Sequence, residues 1–209
     1  MNVFILNTGR CGSMTFAKAC QHITNYTSGH ETRSDLALSE RLNYPDNHIE
    51  ADNRLSWLLG RLDRKYGDEA VYVHLKRNRE ETARSYMKRY PHSIVKAYRQ
   101  AILMGSSEKP MSLCSDFCDT VESNIELFLK DKSNRMEFRI ESAAEDFPLF
   151  WEMIGAEGDM DAAIAEFGIR YNASHPAKDR GEQQVRRSRG LLRKLKRIVA
   201  NLPNYIRHG

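Results

Sequence analysis

The residues best suited to chemistry lie near the start of the chain, in the segment NTGRCGS at positions 7–13. Gly9 and Gly12 permit the tight backbone turns through which several N–H groups converge on one anion. Arg10 adds a full positive charge between them, and a helix predicted to begin near Ser13 adds its dipole and its first N–H groups. The segment therefore predicts a site for a phosphate-like anion, with a plain strand-to-helix turn as the alternative.

Two kinds of phosphate chemistry are disfavoured by the residues around these glycines. A loop that binds nucleoside triphosphates carries lysine directly after its last glycine, where this chain has Ser13. A phosphatase with a cysteine nucleophile requires arginine six residues after that cysteine, and six residues after Cys11 the chain has Ala17. The loop thus predicts an anion site but neither ATP or GTP hydrolysis nor a phosphocysteine intermediate.

The segment TGRCGSMTF (8–16) resembles the loop that holds the 5′-phosphosulfate in sulfotransferases that use 3′-phosphoadenosine 5′-phosphosulfate (PAPS). That family carries a Lys or Arg, then a small residue, Gly, and Ser or Thr. The resemblance, which covers about residues 3–168, implies that Arg10 is the catalytic cation. It also implies that the donor is bound by Gly9, Arg10, Cys11, Gly12, Ser13, Met14 and Thr15. Met14 departs from the family, which often has Thr there, but its backbone N–H would still serve.

In the same family the 3′-phosphate is held by an Arg at the end of a later strand and a Ser eight residues further on. Arg77 follows the strand-like run 71–75, and Ser85 lies eight residues beyond it. The pair suits this role because a guanidinium can bind phosphate through two hydrogen bonds while a hydroxyl donates one more. The alternative is an ordinary charged helix surface, which is our interpretation of Arg79 and Arg84.

Sulfuryl transfer needs a base that removes the proton of the attacking hydroxyl, a task for His, Glu or Asp. The segment TSGHETRSD (27–35) resembles the GEETR segment of tyrosylprotein and related sugar sulfotransferases, which aligns Glu31 with the family's catalytic glutamate. His30 replaces a glutamate of the family and is the rival base. A solvated turn ahead of a helix is the alternative, and Glu50 and Asp52 are interpreted as second acids or structural caps.

Strand-like and helical patterns alternate along the chain, which is typical of a parallel sheet in an α/β fold. Strands are predicted at 3–7, 48–52, 70–75 and 136–141, and helices at 14–23, 34–42, 53–66, 79–90, 92–104, 115–130, 147–155 and 160–168. With the resemblance, this order predicts a three-layer, P-loop-like α/β fold with a central parallel sheet flanked by helices. Glu141 is interpreted as a structural residue that bonds loop backbone.

The composition is that of an ordinary globular protein with a mild excess of positive charge. The 209 residues carry a net charge of +4 and are 41% hydrophobic and 29% charged, which suits an anionic ligand without requiring nucleic acid. No apolar run reaches the length of about 18 residues expected of a membrane-spanning helix. The four cysteines form no CxxC pair, so the sequence predicts a reducing, cytoplasmic location and neither disulfides nor a metal site.

The composition changes near residue 170. Residues 1–170 are predicted to form the sulfotransferase domain, and residues 171–209 a basic extension with ten Lys or Arg against two acidic residues. The extension contains an amphipathic helical pattern over about 188–203. Three roles are open for this helix: packing on the domain, lying on an anionic membrane surface, or binding a partner or an anionic glycan.

These observations predict a sulfotransferase that moves a sulfuryl group from PAPS to a hydroxyl on a sugar or other small metabolite, without a metal. The first rival is a P-loop-like kinase of small molecules, which would want a loop lysine and an acidic Mg²⁺ ligand. The second rival is a non-catalytic protein that binds nucleotides or anionic glycans, for which anion sites and the basic extension would suffice.

Overall fold

A computed structural model describes residues 1–169, and the predicted basic extension at 171–209 lies outside the described residues. The described part contains a five-stranded, wholly parallel sheet with the strand order β2-β3-β1-β4-β5. Its strands are β1 (Val3–Leu6), β2 (Thr27–His30), β3 (His48–Ala51), β4 (Val71–Lys76) and β5 (Arg135–Arg139). The prediction of an α/β fold around a central parallel sheet is confirmed.

Helices cover both faces of the sheet and make three layers. One face packs against α1 (Ser13–Ala19), α6 (Ala143–Met153) and α7 (Met160–Ala165), and the other against α2 (Leu59–Tyr66), α3 (Arg79–Met87), α4 (Ile94–Ala97) and α5 (Pro110–Leu129). The alternation of side chains along a strand builds both cores at once, because Val3 and Ile5 enter one and Phe4 and Leu6 the other. Within residues 1–169 no helix is long and apolar enough to cross a membrane.

The strand order creates a crevice between β1 and β4 at their carboxyl ends. From β1 the chain crosses to β2 at one edge and returns through β3, whereas from β4 it continues to β5 at the opposite edge. The two loops that leave β1 and β4 therefore diverge, and ligands in open α/β sheets bind where the connections diverge in this way. The glycine loop after β1 and Arg77 after β4 border this crevice.

Three segments differ from the predicted elements. The helix predicted over 34–42 is absent except for a 3₁₀ turn at Leu38–Leu42, because Leu38 has a left-handed backbone (φ 55°) that an α-helix cannot contain. The edge strand β2, which was not predicted, forms at the segment taken as the base loop. The helix predicted over 53–66 is divided into a 3₁₀ turn at Asn53–Trp57 and α2.

One histidine is buried in the middle of the sheet. His74 lies on β4 beside Leu6 of β1 and Glu137 of β5, and its Nε2 is buried without a hydrogen-bond partner. Burial and the charge of Lys76 lower the pKa of His74 from 6.5 to about 4, against the opposing effects of Glu126 and Glu137. The ring is therefore neutral in the folded protein at neutral pH.

This burial predicts a loss of stability in mild acid. In the unfolded chain His74 binds a proton near pH 6.5, and in the folded chain only near pH 4, so unfolding takes up a proton between these values. As the pH falls through this window, the free energy of unfolding should decrease by about 1.4 kcal/mol per pH unit, or roughly 3 kcal/mol in all. Above the window this group should have no effect on the pH dependence of stability. Urea unfolding of the wild type and of His74→Leu, followed between neutral and mildly acid pH, measures the difference. Parallel pH dependence of the two proteins would contradict the expectation.

Candidate functional site

The loop between β1 and α1 has the left-handed backbone that the glycines predicted. Gly9, Arg10 and Gly12 have φ values of 84°, 61° and 92°. The Asn7 side chain braces this loop from within, because its Oδ1 accepts a hydrogen bond from the Gly9 N–H over 2.8 Å and its Nδ2 donates to the Ile5 carbonyl over 2.8 Å. The loop is thus a fixed turn tied to the end of β1.

Both glycines also meet neighbours that leave no room for a side chain. A Cβ at Gly9 would lie 2.3 Å from the hydroxyl of Tyr86, and one at Gly12 would lie 2.7 Å from Ile140 Cδ1. The Tyr86 hydroxyl is buried and donates a hydrogen bond over 2.5 Å to the Thr8 carbonyl. Helix α3, which carries Tyr86, therefore packs directly against the back of the glycine loop.

Cys11 contributes its main chain to the loop and hides its side chain. Its thiol is buried, lies 3.4 Å from Asn7 Oδ1, and has a pKa raised to about 12 chiefly by burial. A thiol in this state is protonated and inaccessible, so it is not a nucleophile. The structure agrees with the sequence in giving no support to a cysteine phosphatase.

The predicted cations and the predicted hydroxyl come together at the crevice. Arg10 Nε donates a hydrogen bond to Ser85 Oγ over 3.1 Å, and Arg77 Nη1 donates to the Arg10 carbonyl over 3.2 Å. Ser85 and Arg77 are 75 and 67 residues away from Arg10 in sequence. Two guanidinium groups and a hydroxyl therefore border the glycine loop where β1 and β4 end.

Arg77, which precedes α3, has a second partner in the first turn of that helix. Its Nε and Nη2 contact Glu81 Oε2 at 3.1 and 2.5 Å. This pair is solvent-exposed, and exposed pairs contribute about 0–1 kcal/mol, so an incoming phosphate can replace the carboxylate at little cost. The loop ahead of α3 is fixed independently, because Asn78 caps the Glu81 N–H at 3.1 Å and itself donates to Glu141 Oε1 over 2.7 Å. The structural interpretation of Glu141 is confirmed.

His30, the last residue of β2, reaches across to the start of α1. Its Nε2 lies 3.0 Å from Ser13 Oγ, which follows directly after the glycine loop. Burial lowers the pKa of His30, although the carboxylates of Glu31, Asp52 and Glu50 oppose the shift. A neutral ring can accept a hydrogen bond from the Ser13 hydroxyl, so His30 joins the predicted base segment to the anion loop.

Glu31 occupies a strained backbone position next to His30. Its φ is 53°, which is uncommon for a residue with a side chain and stores strain of the kind that also occurs at functional sites. Its Oε1 lies 3.0 Å from Nη1 of Arg54, a partly exposed residue that follows β3. Its own N–H donates to the Ala51 carbonyl over 3.1 Å. The carboxylate of Glu31 is therefore partly open to solvent and paired with one cation, Arg54.

Glu50 fixes the strained turn at Glu31 and Thr32 through hydrogen bonds. It is wholly buried and accepts hydrogen bonds from the Thr32 N–H at 2.7 Å, the Thr32 hydroxyl at 2.6 Å and His48 Nε2 at 2.9 Å. Asp52, also buried, caps the Arg54 N–H at 2.8 Å and pairs with Arg41 at 2.5 Å. The contacts of both acids are therefore structural: Asp52 caps the turn after β3, as one of its two interpretations predicted, and Glu50 fixes the turn after β2 without capping a helix.

The side chains of the remaining loop residues are buried or half-buried. Ser13 and Thr15 are buried and Met14 is half-buried in the first turn of α1. Arg79 and Arg84, interpreted as surface residues, pair with Asp119 and with Glu80 on the exposed side of α3.

Three residues that support the site were not predicted from the sequence. Asn7 and Tyr86 hold the glycine loop, and Arg54 pairs with Glu31. Asn7 offered one available signal, since a polar residue directly after a buried strand is suited to bracing the following turn. The contacts of Tyr86 and Arg54 are long-range, and nothing in their local sequence predicts them.

Comparison with known proteins does not assign this site: no family model matches the chain and no curated protein matches it significantly. Within residues 1–169, no three or more His, Cys, Asp or Glu side chains are grouped so that they could hold a metal ion. The site rests on its own geometry, which offers a braced anion loop, two guanidinium groups, a hydroxyl and a carboxylate.

Proposed function

We propose that this chain is a PAPS-dependent sulfotransferase that sulfates a hydroxyl of a sugar or other small metabolite. The observation that carries the proposal is the convergence of Arg10, Arg77 and Ser85 on the glycine loop, at the crevice between β1 and β4. Residues that the sulfotransferase motifs single out in two distant segments are direct neighbours. We further propose a cytoplasmic location, which is supported by four cysteines that are all free and buried.

We assign these groups to the two anionic ends of the donor nucleotide. The glycine loop and Arg10 suit the 5′-phosphosulfate, because backbone N–H groups in a nest and a guanidinium are the usual ligands of such oxygens. Arg77 and Ser85 suit the 3′-phosphate. Ser85 Oγ accepts its hydrogen bond from Arg10, so the Ser85 hydroxyl proton remains available to a phosphate oxygen.

The proposed reaction is a single in-line transfer. The acceptor oxygen attacks sulfur, the bond between sulfur and the bridging oxygen breaks, and adenosine 3′,5′-bisphosphate leaves with the negative charge on its 5′-phosphate. Glu31 takes the proton of the acceptor hydroxyl. Arg10 stabilises the charge that grows on the bridging oxygen, which is greater in the transition state than in bound PAPS. Adenosine bisphosphate, sulfate ester and a protonated carboxyl account for all atoms and charges.

Glu31 is preferred to His30 as the base because of what each side chain contacts. The ring of His30 is hydrogen-bonded to Ser13 beside the loop, whereas the carboxylate of Glu31 is partly exposed and pairs with Arg54. The rival with related group-transfer chemistry is a kinase of small molecules. It is disfavoured because Ser13 stands where the P-loop of a kinase carries lysine.

The donor assignment predicts a selective loss of binding. Arg77→Ala should weaken adenosine 3′,5′-bisphosphate by about 10–100-fold, the value of a charged hydrogen-bond pair, and AMP hardly at all, because AMP lacks the 3′-phosphate. Isothermal titration calorimetry without Mg²⁺ measures both ligands. Arg84→Ala, which removes an exposed arginine of the same helix, is the matched control.

Three results would contradict the proposal: one from this titration, one from a titration with ATP and Mg²⁺, and one from an assay of the sulfated product. If Arg77→Ala weakens both nucleotides equally, the 3′-phosphate assignment is wrong. If the wild type prefers ATP with Mg²⁺, the kinase is favoured. If the wild type binds the bisphosphate but forms no sulfated product from labelled PAPS with sugars, phenols or peptides, the non-catalytic binding protein is favoured.

A further inference from the structure

The connection between α4 and α5 forms a projection, which we call the tip and define as residues 96–111. After α4 the chain passes through one turn of π-helix at Tyr98–Ile102 and reverses direction at Met104 and Gly105. The reversal is closed by hydrogen bonds from the Leu103 N–H to Tyr98 O at 3.0 Å and from the Gly105 N–H to Arg99 O at 2.9 Å. The tip is therefore an ordered turn.

Large apolar side chains stand in solvent at this turn. Met104 is 88% exposed, Ile102 59% and Met111 41%. Met104 also has a left-handed backbone (φ 49°), which is unfavourable for a bulky residue and is kept here without any packing in return. Apolar side chains grouped on one ordered turn mark an interaction surface, whereas single exposed ones do not.

Basic residues are close in sequence to these side chains. Lys96, Arg99 and Lys109 belong to the tip, and Glu108 is its only acidic residue. Arg99 is fixed through Nε to the Ser106 carbonyl at 2.7 Å, which keeps its charge at the turn. A segment that combines exposed apolar side chains with an excess of positive charge repels a second copy of itself and matches a surface that is negative outside and apolar inside.

We propose that the tip docks on an anionic membrane surface, with Ile102, Met104 and Met111 entering the interfacial region and the cations contacting lipid headgroups. Short apolar-and-basic surfaces bind membranes reversibly in this way, through buried area and attraction to anionic lipid together. The proposal stands on the exposure and charge of the tip and does not depend on the enzymatic activity.

Docking at the tip would attach the domain that carries the glycine loop to the membrane. Aromatic rings connect the tip to this loop, since Tyr98 lies 5.5 Å from Phe117 and Phe117 lies 5.3 Å from Tyr86. The Tyr86 hydroxyl in turn bonds the Thr8 carbonyl of the loop. This consequence alone rests on the proposed function: the acceptors supplied to the site would then be hydroxyls at the membrane surface, such as those of a glycolipid.

Vesicle sedimentation with the full chain tests the proposal. The wild type should bind vesicles of phosphatidylcholine with phosphatidylserine much more tightly than phosphatidylcholine alone, and added salt should weaken the binding. The double variant Ile102→Ser/Met104→Ser should lose about tenfold per side chain in partitioning. Leu127→Ser is the matched control, because Leu127 is 73% exposed but lies near the far end of α5.

Charge and fold are checked separately. Lys96→Glu/Lys109→Glu should abolish the preference for anionic vesicles, and all these variants should unfold at the wild-type temperature because the altered side chains are exposed. The C-terminal extension is present in every protein compared, so any difference reports the tip. Binding that is unchanged in both double variants, or a wild type that binds neither vesicle, would overturn the proposal and leave an acidic protein partner as the occupant to seek.

Discussion

Replacement of Arg10 by methionine is expected to lower the rate of sulfuryl transfer by about 10²–10³-fold, the usual effect of removing a group that stabilises developing negative charge. Methionine keeps the unbranched stem of the side chain and loses only the guanidinium. The expected loss falls on kcat more than on donor affinity, because the charge on the bridging oxygen grows during the reaction. Single-turnover rates with labelled PAPS, combined with calorimetry for the bisphosphate product, separate the two effects.

Two companion variants make this prediction specific. Arg10→Lys keeps the charge but loses the Nε–H that bonds Ser85, so its rate should lie between those of the wild type and Arg10→Met. Arg84→Met, on the exposed side of α3, should transfer sulfate at the wild-type rate. An Arg10→Met variant that loses donor affinity and rate in equal measure would show that Arg10 binds the ground state, and the catalytic role would be wrong.

The sequence predicted the three inner strands and the edge strand β5 but not the other edge strand, β2. β1 and β4 lie in the middle of the sheet with both faces covered, so their sequences are nearly continuous apolar runs. β2 is an edge strand with the sequence TSGH, and its pairing with β3 is set by tertiary contacts that no local pattern reveals. The order of the strands likewise followed from no local pattern.

The false helix at 34–42 shows how tertiary contacts override a helical pattern. Its apolar residues have suitable spacing, but Thr32, just before it, is bound by the buried Glu50 carboxylate. The chain then turns to bring the Arg33 side chain to the Glu40 carbonyl at 3.0 Å, which an α-helix over these residues would not permit. Helix propensity is a weak preference that a buried charged hydrogen bond exceeds.

The site was predictable where chemistry depends on residues close in sequence, and not where it depends on support from elsewhere. Two glycines around an arginine predict the shape of the loop, and the observed φ values agree. The convergence of Arg77 and Ser85 on that loop was expected only through the family resemblance, since 75 residues separate Arg10 from Ser85. The bracing by Asn7 and Tyr86 required the fold itself.

Glu31→Gln is expected to lower kcat by about 10²–10⁴-fold, the contribution of a positioned general base, while the affinity for adenosine 3′,5′-bisphosphate stays near that of the wild type. Glutamine has the same shape and can still contact the Arg54 guanidinium through its amide oxygen, so the strained turn should persist. Thermal unfolding of the variant checks that it does.

His30→Gln decides between the two candidate bases. Glutamine can still accept a hydrogen bond from the Ser13 hydroxyl, so the contact of His30 with the loop is imitated while its proton-accepting nitrogen is removed. If Glu31 is the base, His30→Gln should retain most of the transfer rate, and the double variant should be no slower than Glu31→Gln alone by more than the small loss from His30. If instead His30→Gln loses the larger factor and Glu31→Gln the smaller, the base is His30. The role of Glu31 is then to hold Arg54 beside β3, a role that its strained backbone and its single ion pair would also serve.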